Sequence, residues 1–369
     1  MATTASRNVI KNLPPEILLA VCYHCSHAEL CALVLINHDF YTMLIPEIYT
    51  HVKLYSRRTI ESFSDALVNG KSNLKTFPRS IYIYPKQLAT KLLFRLANSV
   101  RQALSQTTNL RDLTLLLQYK AVKSIFRDIT YPFHLTRLAC PAISGRDFSR
   151  FLQKQNSLEE LVVLRSVRGG ITVGTVIRNL IPDSLPRLDS ISASHETLAA
   201  LIPGRPIRCV STGAAALHPN DYELFARSLS QSTARVGAVD VSLSYLWINT
   251  ALSSPEGLVA ALSNYSVSPK RFTVNLILPE PLCTQNPVLW QQHMPEALNH
   301  LYKSILDALG GLTLSTFQSL EALEIIQRQG LTIWIKRPVL PTLERILFEK
   351  LKNSCSTLRS LTLFDLTLE

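Results

Sequence analysis

The stretch Leu110-Arg111-Asp112-Leu113-Thr114-Leu115 carries leucine at its first, fourth and sixth positions. In an extended backbone Leu113 and Leu115 then share one face, while Asp112 and Thr114 share the other. Units of the same form lie upstream and downstream. Pro78-Arg79-Ser80-Ile81-Tyr82-Ile83 precedes it, and Leu135-Thr136-Arg137-Leu138 and Leu158-Glu159-Glu160-Leu161-Val162-Val163 follow. Further copies read as Leu185-Pro186-Arg187-Leu188, Ile207-Arg208-Cys209-Val210, Val236-Gly237-Ala238-Val239-Asp240-Val241 and Pro269-Lys270-Arg271-Phe272-Thr273-Val274. The last are Leu320-Glu321-Ala322-Leu323-Glu324-Ile325, Leu343-Glu344-Arg345-Ile346 and Leu358-Arg359-Ser360-Leu361-Thr362-Leu363.

Early units recur near the roughly 20–29 residues of a leucine-rich repeat. Later ones are uneven, with 51 residues from Pro269 to Leu320 and 15 from Leu343 to Leu358. Helical stretches with sensible ends lie between them: Ser56 opens one that Gly70 closes, Ser254-Pro255-Glu256 opens another, and Asn286-Pro287 opens a long one closed by Gly310-Gly311. Period-2 apolar patterns alternate with period-3.6 patterns. The expectation for residues 55–369 is an irregular, leucine-rich-repeat-like α/β solenoid, a horseshoe. In such a unit the residue before the second leucine lines the concave surface. Arg137, Arg187, Arg271 and Arg345 hold that position in four units. Planar guanidinium groups grip carboxylates or phosphates through paired hydrogen bonds, which makes these four the candidate target-binding residues.

Residues 1–54 read differently, as a helical module. Pro15 suits a first helical turn, where its missing N–H costs nothing, and Glu16 suits the positive end of the helix dipole. Ser26-His27-Ala28-Glu29 is a capping box that starts a second helix carrying Leu30, Leu33 and Val34. Asn37 caps a third, with Phe40, Met43, Leu44 and Ile48 inward. Three helices this short bury little surface, so they need the following domain or a partner.

Leu13-Pro14-Pro15-Glu16-Ile17-Leu18, then Glu29-Leu30, Leu33-Val34 and Phe40-Tyr41, resembles an F-box, and Pro46-Glu47-Ile48-Tyr49 running into Val52-Lys53-Leu54 continues the likeness. It departs at Cys22 and Cys25, where larger aliphatics are usual, and at Asn37-His38-Asp39, which replaces a commonly basic segment. The resemblance implies a mixed fold class, α+β running into α/β, with a three-helix F-box at the N-terminus. It also implies a substrate-recognition subunit of an SCF-type (cullin-RING) ubiquitin ligase. Leu13, Pro14, Ile17, Leu18, Leu30, Leu33 and Val34 would then dock a Skp-type adaptor of the cullin complex, and the remainder would hold a protein target. Such a subunit is not an enzyme; the ligase's other subunits carry the chemistry.

Charge distribution refines the partner. Net charge is +11 over 369 residues. All the excess falls within residues 52–157, which hold 18 basic and 5 acidic side chains. An acidic or phosphorylated target fits such a stretch, and a solvated basic face is its plainer meaning. The alternative function is a scaffold that binds acidic partners or nucleic acid through this region without ligase coupling. No recognised nucleic-acid motif accompanies the basic residues, so nucleic acid is the less expected partner.

Other chemistry finds little support. Cys22, His24, Cys25, His27 and Cys31 fall within ten residues of one helix–turn–helix, whereas zinc takes two separated ligand pairs, so no metal is expected. Gly70-Lys71-Ser72 lacks the glycine of a phosphate-binding loop, since position 65 is Asp65. Neither catalytic residues nor a cofactor is expected. No apolar run long enough to span a bilayer and no leader pattern is present, which points to a cytoplasmic or nuclear protein with no membrane partner.

Overall fold

The computed structural model describes residues 14–70, 72–85, 90–143, 145–164, 180, 183–244, 255–277, 317–327, 341–363 and 366–368. Leu13 and the long helix expected from Asn286 to Gly310-Gly311 lie outside the described residues. The chain divides into two compact units, Met1–Leu138 and Ala139–Glu369.

The first unit opens with three helices, α1 (Pro15–Cys22), α2 (His27–Leu33) and α3 (His38–Thr50). Then come β1 (His51–Leu54), α4 (Arg57–Asn69), a 3-10 turn (Ser72–Thr76), β2 (Ser80–Ile83), α5 (Thr90–Gln106), β3 (Asp112–Leu115) and α6 (Tyr119–Phe126). Strands β1, β2 and β3 are parallel neighbours in that order, with His51 opposite Ser80 and Ser80 opposite Asp112. Leu54, Ile81, Ile83, Leu113 and Leu115 are buried, as are Ile60, Phe63 and Leu67 of α4 and Val122 and Ile125 of α6. Helices α4, α5 and α6 pack in sequence. When each strand is added on the same side of the last, right-handed crossovers all fall on one face. The other face, with Lys53, Tyr82 and Thr114 in one register row, is left without a helix among the described residues.

Strand β4 (Arg137–Pro141) runs through the division. The second unit continues with α7 (Arg146–Gln153), β5 (Glu160–Leu164), β6 (Ser190–Ser192), α8 (His195–Leu201), β7 (Cys209–Ala216), α9 (Tyr222–Ser230), β8 (Ala238–Ser244) and α10 (Pro255–Asn264). It ends with β9 (Arg271–Ile277), β10 (Ala322–Gln327), α11 (Pro341–Ser354), β11 (Ser360–Leu363) and β12 (Leu366–Leu368). Each strand from β5 to β11 is parallel to the next, in the register Glu160, Ser190, Cys209, Ala238, Arg271, Ala322, Ser360. The final pair, β11 and β12, is antiparallel, with Leu361 opposite Leu368 and Leu363 opposite Leu366.

One hydrogen-bond device recurs at the strand entrances. The residue before a strand offers one carbonyl to two successive amides of the next segment: Arg111 and Asp112 to Arg79, Arg208 and Cys209 to Asp189, and Glu321 and Ala322 to Lys270, among others. Each such carbonyl holds both the amide that opens the next strand and the amide before it, which ties neighbouring entrances together.

The architecture corrects the expected horseshoe. Twelve strands and eleven α-helices among the described residues make an α/β fold whose sheet is parallel except for its last pair. A solenoid stacks one unit of nearly constant length. Here β6 and β7 start 19 residues apart, and β9 and β10 start 51 apart. The linking helices range from 7 residues in α8 to 17 in α5. The leucine pattern therefore marks parallel strands buried on one face, a demand that any helix-covered parallel sheet makes. Among the described residues no helix is long and apolar enough to cross a membrane.

Candidate functional site

The helical module is built by its caps. Pro14 stands at the N-cap of α1 without a side-chain bond, and Pro15 takes the first helical position. In α2 the Glu29 amide donates to Ser26 Oγ at 3.4 Å and the Ser26 amide donates to Glu29 Oε2 at 2.6 Å, closing the capping box. The Ser26 amide first, and the Ser26 hydroxyl second, hold the Glu29 carboxyl below its usual range. Asn37 Oδ1 accepts the Phe40 amide at 2.8 Å and starts α3.

Only α3 is tied firmly to the sheet. It runs directly into β1, Leu44 is fully buried, and the Tyr49 ring stacks on Phe63 of α4 with centroids 6.2 Å apart. Helices α1 and α2 lie against α3. Cys22 is the buried residue of α1, and α2 has none. Ile17 is 50% exposed, Val21 57%, Tyr23 71%, Leu35 85% and Ile36 63%. Each such side chain contributes about 1.5–3 kcal/mol when it is fully taken out of water. These five apolar side chains fall within 20 residues of sequence, on or just after two helices whose one buried residue is Cys22.

Of the residues chosen from sequence, Pro14 and Ile17 are exposed, and Leu18, Leu30, Leu33 and Val34 are half-buried. Val21, Tyr23, Leu35, Ile36 and the exposed Tyr41 were missed. Leu33-Val34-Leu35-Ile36 held the signal: four successive apolar residues cannot all turn inward from a helix and its last turn. The nearby thiols look inward to their own helices. Cys25 Sγ lies 3.7 Å from the Val21 carbonyl, and Cys31 Sγ lies 3.7 Å from His27 Nδ1. Burial first, and then Cys25, raises the pKa of the Cys22 thiol. Among the described residues no cluster of histidine, cysteine and carboxylate side chains is placed to hold a metal ion.

The four arginines take unlike places. Arg137 is the exposed first residue of β4. In the second unit, Arg271 starts β9 and its Nη2 pairs with Glu324 Oε2 at 2.9 Å. Arg187 is not in a strand but in the turn before β6, beside an open cleft of about 610 Å³ lined also by Glu159, Asp189 and Arg208. Arg345 lies on α11, exposed. Register is the reason: Ser190, not Arg187, opposes Glu160 and Cys209, and Leu343 to Ile346 belongs to a helix.

The strand-entrance row discriminates between the units better than the arginines chosen from sequence. In the second unit that row neutralises itself, with Arg208 Nε 3.6 Å from Asp189 and Lys270 Nζ 3.1 Å from Glu321. In the first unit Arg79 and Arg111 hold the equivalent places on adjacent strands, both exposed. Among the described residues neither has an ion pair or a side-chain hydrogen bond. No protein-family model and no curated protein matches the chain.

Proposed function

We propose that the chain is an F-box-type adaptor. It docks a Skp-type subunit of a cullin-RING ligase through α1 and α2, and presents a protein target on its α/β body. The observation that supports this reading best is the exposure of Ile17 and Val21 on α1, and of Tyr23, Leu35 and Ile36 in the turns that follow α1 and α2, two helices that bury almost nothing of their own. The F-box resemblance of residues 12–54 gives that surface its partner. Catalysis belongs to other subunits; this chain raises the local concentration of target near them.

The test is capture of a purified Skp-type adaptor by the full chain and by an Ile17→Asp, Leu35→Asp variant. Both positions are at least half exposed, so circular dichroism should stay unchanged while captured adaptor falls at least tenfold. Equal capture by the two proteins overturns the assignment.

A further inference from the structure

We infer that the helix-free face and strand-entrance edge of the first unit bind an acidic, carboxylate-rich protein segment, gripped by Arg79, Arg111 and Lys53. The inference names the target class of the adaptor reading and rests on that reading only for calling the ligand a target.

Arg111 N–H donates to the Arg79 carbonyl at 2.8 Å, so the two arginines stand side by side just before β2 and β3, about 4.8 Å apart at the backbone. Long side chains from adjacent strands can converge on one carboxylate or take two in succession. Lys53 lies on β1 in the row of Tyr82, and it too is exposed with no ion pair among the described residues. Tyr55 and Tyr84, exposed, directly follow the last residues of β1 and β2. The carboxylate on this face, Asp112, accepts the Thr136 hydroxyl at 3.2 Å, which partly occupies it.

The equivalent row of the second unit carries its own counter-charges, in the Arg208–Asp189 and Lys270–Glu321 pairs. Unpaired like charges on adjacent strands repel, and a sheet keeps them at a cost that an anionic partner reverses. The charge excess selects an anion. No recognised nucleic-acid-binding motif accompanies these basic residues, which favours a polypeptide over a nucleic acid; the Tyr55 and Tyr82 rings meet edge-on at 60°, centroids 6.0 Å apart.

The test uses the full chain and fluorescence anisotropy with a labelled peptide of alternating glutamate and glycine. Binding should weaken at least tenfold in an Arg79→Glu, Arg111→Glu variant and should fall as salt rises. A Lys120→Glu, Lys123→Glu variant makes the same change in net charge on α6, where both lysines are exposed, and it should bind as the unaltered chain does. Equal weakening in both variants would show attraction to net charge alone and overturn the site, as would tighter binding of a single-stranded oligonucleotide than of the peptide. Adaptor capture, measured on the same variants, should not change. Loss of peptide binding with capture intact, or the reverse in the Ile17→Asp, Leu35→Asp chain, separates this inference from the adaptor assignment.

Discussion

The Tyr131 hydroxyl donates to the carbonyl of Ile125 at 2.6 Å. Ile125 lies in the last turn of α6, where carbonyls lack partners within the helix, so a side chain six residues later caps it. The Tyr131 ring stacks on Phe133 at 5.1 Å and meets Phe126 edge-on at 6.0 Å. Tyr131→Phe keeps both ring contacts and removes the donor. It should cost about 1–3 kcal/mol, the usual penalty for a buried polar group left short of a bond. Urea midpoints of the two proteins measure it; an unchanged midpoint would show that water replaces the bond.

Arg205 is 2% exposed and is held by backbone: Nε donates to the Ser184 carbonyl at 2.9 Å and Nη1 to the Leu201 carbonyl at 2.7 Å. Burial lowers its pKa from the usual arginine value. Arg205→Met fills similar space but strands those carbonyls, and should destabilise by about 2–4 kcal/mol. Arg205→Lys should recover part of that loss, because one ammonium cannot reproduce the fork. Chemical denaturation of the three proteins checks the order.

Burial pushes the Cys140 thiol from 9.0 up to about 12, and the Tyr222 phenol from 10.0 up to about 12. Both groups are neutral when protonated, so the unfolded chain ionises first as pH rises. Across that window the folded state binds more protons and stability falls with pH. The contribution is complete below pH 9 and is lost as pH climbs from 9 towards 12. A Cys140→Val, Tyr222→Phe variant should lose stability less steeply over that range, read from urea midpoints at successive pH values.

Local signals in the sequence carried more of this structure than long-range ones. Ser26 with Glu29, Asn37 and Ser56 each mark a helix start that the structure contains, because a cap is decided by three or four residues. Strand register was harder. Leu185 and Leu188 both fit a leucine pattern, but Leu185 sits at φ 61° in a turn, and Pro186 cannot donate to a sheet ladder. Pro186 was the available clue that the strand begins after it. Leu343 to Ile346 failed for another reason. Leu347, Phe348 and Leu351 are buried at helical spacing, and that longer pattern outranks four residues that match a strand unit. At the candidate site the apolar residues were legible as a group. Which side they faced depended on how little α3 could cover.

Helix α2 buries no residue, so its stability rests on its cap and on whatever covers it. Ser26→Ala removes the acceptor for the Glu29 amide and should cost about 1 kcal/mol locally. Amide hydrogen exchange over residues 27–33 should quicken about fivefold, and a saturating Skp-type adaptor should suppress both the baseline rate and the difference. Persistent exchange with adaptor bound would place docking elsewhere on the chain.

The end of α10 offers a gain in stability. The Val267 amide donates to the Leu262 carbonyl at 2.9 Å and the Ser266 amide to the Ser263 carbonyl at 2.9 Å, a Schellman arrangement. Its left-handed position is Ser266, at φ 57° and exposed. A Cβ is strained there, and glycine adopts that conformation without the steric cost. Glycine also widens the unfolded ensemble, which offsets part of the benefit. Ser266→Gly should therefore raise stability by a net of about 0.5 kcal/mol, seen as a small upward shift of the urea midpoint with unchanged slope. Ser266→Val, β-branched at the same position, should shift the midpoint down by about 1–2 kcal/mol. If both variants moved the midpoint in the same direction, the left-handed conformation would not be what limits this helix end.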